Sequence, residues 1–153
     1  MMNGEFFDNG VLLVFVPFGW KLFCGSDSGG KVTSKKLHIY KGAQTEMDIF
    51  TKAGITICFY GKNEIYISTR SFYDNVCEIE SFELRGNLWK GYTCTSLGYP
   101  YTMLESTHDG ATFQVMILMK NGECEISLDD ADVIKILESL ATSCFEEGVL
   151  WDF

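Results

Sequence analysis

Val11-Leu12-Leu13-Val14-Phe15-Val16 is apolar at every position. A strand sends successive side chains to opposite faces, so a run with no polar alternate must be covered on both. Its β-branched and aromatic members favour extended chain. Pro17-Phe18-Gly19-Trp20 closes the run as a turn. A second long apolar strand is predicted over Ala111–Met119, ending at the tight-turn pair Asn121-Gly122. Two such strands ask for a sheet with something packed on each side.

The chain between them reads mostly as β. Leu37–Lys41, Ile55–Tyr60 and Glu78–Leu84 alternate as half-buried strands do. Glu64–Ser68 is a weaker strand, and Ala43–Phe50 and Arg70–Asn75 have room for short helical turns. Leu88–Ser96 and Tyr99–Glu105 flank a break at Gly98-Tyr99-Pro100. After residue 127 the period changes. Val133, Ile136, Leu137 and Leu140 mark one stripe of a long C-terminal amphipathic helix. Ser127 or Asp129 is expected to cap it, and the acids at 129, 130 and 132 favour the positive end of its dipole. Those acids lack the spacing of a calcium loop, so no metal site is assigned.

With 153 residues, 46% hydrophobic content and two prolines, the chain fits one domain with a packed core. The core spans about residues 10–142 and leaves a tail over 143–153. The net charge of −9 is uneven. Residues 1–75 hold eight Lys/Arg and seven Asp/Glu, a net +1, while residues 76–153 hold four and fourteen, a net −10. An acidic surface repels phosphate backbones and anionic lipid heads, so nucleic acid is excluded as the expected partner. No apolar run approaches the ~20 residues of a membrane helix, so no membrane insertion is expected. The six cysteines form no C-x-x-C and no zinc spacing, and are read as reduced thiols. The first ten residues lack a basic region and a cleavage site, and the expectation is either a cytoplasmic protein or an exported one in trimmed, mature form.

Cys24-Gly25-Ser26-Asp27-Ser28-Gly29-Gly30-Lys31 imitates two active sites at once. Gly25-x-x-x-x-Gly30-Lys31 resembles a P-loop, but Val32 stands where the magnesium-binding Ser/Thr belongs and a strand follows instead of a helix. Asp27-Ser28-Gly29-Gly30 resembles the surroundings of a serine nucleophile, yet no His precedes it. The stretch reads as a connecting loop. His38 and His108 read as lone surface histidines. No catalytic residue and no cofactor site is assigned, and the chain is expected not to be an enzyme. A hydrolase with unpaired acids or a reactive Cys has no motif in its favour.

Three further features carry a family resemblance: Pro17-x-Gly19-Trp20 after the first strand, Trp89-x-Gly91-Tyr92 in the middle, and Ile136-Leu137-x-Ser139-Leu140 in the last helix. Together with the element order, they resemble the PsbP-like family. That fold is shared by the photosystem extrinsic protein, a yeast nuclear-import factor that binds Ran, and many small bacterial proteins. The resemblance implies an α+β fold, an antiparallel sheet flanked by helices on both faces as an α/β/α sandwich. Trp20 and Trp89 would then be core. It also implies a non-enzymatic domain that binds a protein partner or assists assembly. The candidate contacts are Tyr99 and Tyr101 in the loop SLGYPY, and Trp151 and Phe153 in the tail. An alternative from the charge is an acidic immunity or inhibitor protein that neutralises a basic toxin.

Overall fold

The computed structural model describes residues 3–143. Trp151 and Phe153 lie outside them. The strands are β1 (Gly4–Asp8), β2 (Leu12–Pro17), β3 (Trp20–Ser26), β4 (Val32–Lys41), β5 (Gly54–Tyr60), β6 (Asp74–Glu78), β7 (Phe82–Leu84), β8 (Asn87–Ser96), β9 (Tyr99–His108), β10 (Ala111–Leu118), β11 (Lys120–Asn121) and β12 (Cys124–Glu125). Then come α1 (Ala131–Ser139) and β13 (Ala141–Thr142). Two 3-10 turns, Glu46–Phe50 and Arg70–Phe72, complete the set. The main sheet runs β3-β4-β5-β10-β9-β8-β6, and its neighbours are antiparallel throughout.

The expected central strand, β2, is not in that sheet. It is the middle of a small sheet ordered β1-β2-β13. This small sheet and α1 together form the layer over the first face of the main sheet. Leu12 and Val14 from β2, and Val133, Ile136 and Leu137 from α1, meet Ile39, Ile57, Phe113, Val115 and Trp89 in one core. Trp20 is buried and donates from Nε1 to Asp132 Oδ2 at 3.0 Å, tying the turn after β2 to the first turn of α1. Trp89 is fully buried in the same core.

α1 is shorter than the sequence suggests, at nine residues. Asp130 occupies its N-cap position, and the Asp130 carboxylate accepts from the Ser127 N–H at 2.8 Å. Ser127 Oγ accepts from the Asp129 N–H at 3.2 Å, so neither expected cap stands at the helix start. At the other end the chain turns extended at Leu140 because β13 pairs with Leu12 and Leu13 of β2. Ser139 continues that edge. Its Oγ accepts from the Phe15 N–H at 2.8 Å and donates to the Ile136 carbonyl at 2.9 Å.

The second face overturns the α/β/α expectation. The described residues hold one α-helix, and it lies on the first face. The β5-to-β6 crossover, Gly61–Tyr73, passes over the second face with only one 3-10 turn in its 13 residues. A link helical along its whole length would not reach. The crossover starts level with Thr112 and Thr107 on β10 and β9, and ends opposite Thr95 on β8. It must cross four strand spacings of about 4.8 Å and climb about seven residues of strand, near 30 Å in all. Thirteen helical residues rise only about 20 Å. Extended chain reaches the end, and the β-branched, alternating Ile65-Tyr66-Ile67 suits it.

Ser139→Ala is expected to leave the Phe15 N–H unpaired in a buried position and to cost about 1–3 kcal/mol of stability. Urea unfolding checks this, and an unchanged midpoint would show that the contact is dispensable.

Candidate functional site

The register lays three rows across the second face. One is Lys36–Cys58–Gln114–Glu105–Lys90, the next His38–Thr56–Met116–Met103–Tyr92, and the third Tyr40–Gly54–Leu118–Tyr101–Cys94. Polar and aromatic groups alternate here, where the first face is apolar. All seven tyrosines of the chain belong here. Tyr40, Tyr60, Tyr92, Tyr99 and Tyr101 are on the strands, and Tyr66 and Tyr73 are on the crossover. A Cβ at Gly54 would overlap the Tyr40 ring, so glycine lets that ring lie flat on β5.

The crossover is a strap held by its polar and aromatic side chains. Near its start, Glu64 accepts from the Gly61 N–H at 2.8 Å and pairs with Lys35 at 2.7 Å. In the middle, the Tyr66 ring stands edge-on to Tyr60 at 5.2 Å, and its hydroxyl donates to Glu105 at 3.4 Å. Further on, Thr69 and Tyr73 share a hydrogen bond of 2.8 Å. The Arg70 guanidinium lies 5.0 Å from the Tyr92 ring centre and pairs with Glu78. With Tyr66 turned in, its neighbours turn out: Ile65 is 83% exposed and Ile67 71%. Phe72 is exposed beyond them. The 3-10 turn Glu46–Phe50 covers another part of the face. Its Ile49 packs with Tyr40 and Phe23, while Met47 and Phe50 are exposed. The Asp48 carboxylate accepts from the Gln44 and Thr45 N–H groups and so holds the turn's start, which keeps its pKa below the ordinary value.

The β8–β9 hairpin ends the face. Leu97 takes a left-handed φ of 53° and is 95% exposed, with Gly98 at φ 84°. Bulky residues rarely hold that conformation. Of the residues expected to bind a partner, Tyr99 is exposed on this hairpin. Tyr101 is half-buried between the Tyr40–Leu118 and Tyr92–Met103 clusters. Sequence reading missed Ile65, Ile67 and Leu97. The signal for the first two was the Ile-x-Ile alternation in the weaker strand Glu64–Ser68, which left open which side faces the sheet.

Burial pushes Tyr66 well above the ordinary tyrosine value, with the Glu105 charge adding to it. Burial likewise raises Tyr40, Tyr60, Tyr92 and Tyr101. These phenols stay neutral near pH 7 and serve as stacking and hydrogen-bonding groups. The histidines are not the lone surface groups expected. His38 Nδ1 is 2.8 Å from Thr56 Oγ1, and His108 Nε2 is 2.9 Å from Ser106 Oγ. Ser106 donates its one hydrogen to the Leu88 carbonyl at 2.8 Å, so the Ser–His bond takes its proton from His108 Nε2. This is the reverse of a Ser activated by a base. The Gly/Ser loop is a hairpin connection closed on itself. The Asp27 carboxylate accepts from the Gly29 and Lys31 N–H groups at 2.9 and 3.0 Å, occupying the amides a phosphate would use.

No family model matches the chain, and no curated protein does. Among solved structures, it is similar to the solution structure of cyanobacterial PsbP (CyanoP) from Synechocystis sp. PCC 6803, with a TM-score of 0.47 and 9% identity over 94% of each chain. This is a protein of the family that the sequence motifs resemble. At such identity and TM-score the likeness gives no residue a role. No helix among the described residues is long and apolar enough to cross a membrane.

Burial lowers the pKa of both histidines from the ordinary 6.5. The unfolded chain, titrating at its ordinary value, therefore takes up protons first as pH falls. Stability is expected to be level above about pH 6.5 and to decline below it, before carboxylates titrate. His108→Gln should make the decline between pH 6.5 and 5 shallower in urea unfolding. An equal slope in the variant would contradict this reading.

Proposed function

We propose that this chain is a non-catalytic protein-binding domain and that its partner docks over the strapped second face. The observation that carries the reading is the outward pair Ile65 and Ile67. A strand-like segment buries its polar alternates and offers its isoleucines to solvent. Burying either isoleucine would stabilise a contact by about 1.5–3 kcal/mol. Met47, Phe50, Phe72, Leu97 and Tyr99 are further exposed apolar groups on the elements that cover or end this face. Exposed apolar groups grouped on one side mark interaction surfaces more often than chance scatter. This arrangement supports an adaptor or assembly role, since the side chains there offer contact area rather than chemistry.

The test starts from a partner recovered on the immobilised full chain from its source cells, then purified and titrated. Ile65→Asp/Ile67→Asp is expected to weaken that complex by roughly tenfold or more, with the thermal midpoint nearly unchanged. Phe18→Asp, an equally exposed apolar position on the small-sheet side, is expected to bind as wild type. Unchanged affinity in the double variant, loss in Phe18→Asp instead, or failure to recover any partner would overturn the reading.

A further inference from the structure

We infer that Asn121 is a site of spontaneous chemical modification, where ring closure onto Gly122 replaces the side-chain amide by a carboxylate and frees the Glu46–Phe50 turn from the β11–β12 hairpin. The inference stands apart from the protein-binding reading. Asn-Gly pairs occur in the chain at 3–4, 9–10 and 121–122. A following glycine has no side chain to shield its nitrogen, so that nitrogen can reach the asparagine side chain. The Gly122 nitrogen bonds to Asn121 Cγ and the Cγ–Nδ2 bond breaks. The Gly122 proton, passed through water, leaves with Nδ2 as ammonia. Water then opens the resulting succinimide to aspartate or isoaspartate. The structure separates the pairs. At Asn9 the Asp8 carboxylate holds the Gly10 N–H at 2.9 Å and resists its deprotonation. Asn9 Oδ1 also accepts from the Val11 and Leu12 N–H groups, and its Nδ2 donates to the Ser34 carbonyl. At Asn121 the following nitrogen is open: Gly122 is exposed, and its N–H has no partner among the described residues. At Asn3 the backbone carbonyl takes the Phe18 N–H, and the side chain holds no other element among the described residues. Asn121 Nδ2, by contrast, donates to the Phe50 carbonyl at 3.0 Å and the Lys52 carbonyl at 3.3 Å. A carboxylate has no hydrogen to give, so conversion sets acceptor against acceptor at both carbonyls. The start of the turn is closed locally by Asp48, so the release is confined to its end.

Ageing the full chain at mildly alkaline pH, followed by peptide mapping with isoaspartate detection, tests the chemistry. Asn3 and Asn121 are expected to convert while Asn9 stays intact. The Thr51 and Lys52 amides, which both donate to the Asp48 carbonyl, report the release. Asn121→Asp is expected to speed their hydrogen exchange about tenfold. Asn121→Gln keeps a donor and closes its ring far more slowly, so its exchange pattern should not change on ageing. If Asn121→Asp does not fold, the same two amides in the aged wild-type chain supply the measurement. Asn9 converting as fast as Asn121, an intact Asn121 in chains whose Asn3 has converted, or Thr51 and Lys52 exchange unmoved by the carboxylate would overturn the inference.

Discussion

The distance from the end of β5 to the start of β6 governs the second face. β10, β9 and β8 lie between these two parallel strands, and the chain has 13 residues to pass over them. A link helical throughout is too short for that diagonal, so most of the link is extended. An extended link has one inward and one outward row of side chains. From this follow both the absence of a covering helix and the display of Ile65 and Ile67.

The phase of that alternation is set by the groups beneath. Tyr60, Glu105 and Tyr92 offer rings and a carboxylate, which suit Tyr66 and Arg70 better than isoleucine. A shift by one residue would bury Ile65 and Ile67 against Glu105 and strand the Tyr66 hydroxyl in solvent. Burial of the isoleucines would favour the shift, while the desolvated carboxylate left without a donor opposes it. The tyrosines thus act as fasteners under the strap, and their neutral phenols keep that role across physiological pH.

Much of this was legible in the sequence, for reasons that differ by element. VLLVFV announced a strand covered on both sides, and β2 is that strand. Periodicity could not say which sheet it joins, because that depends on pairing with β13 at the far end of the chain. The stripe Val133, Ile136, Leu137 and Leu140 is buried as the period requires, but the helix stops early where tertiary pairing claims residue 141. The sandwich of helices failed because a resemblance supplied the second helical layer, whereas the link is too short to be helical along its whole length. At the candidate site, Tyr99 and Tyr101 were singled out through their loop, and Tyr99 is exposed while Tyr101 is half-buried. The outward isoleucines were not, since alternation alone leaves open which side faces the sheet. Leu97 was invisible because nothing local asks for leucine at a left-handed turn position.

The inward tyrosine and outward isoleucines can be seen directly by solution NMR with a soluble paramagnetic relaxation agent. Tyr66 ring protons should show cross-peaks to the Tyr60 ring and little relaxation, while the methyl groups of Ile65 and Ile67 relax strongly. Cross-peaks from those methyls to Tyr92 or Met103, with Tyr66 strongly relaxed, would mean the strap lies the other way up.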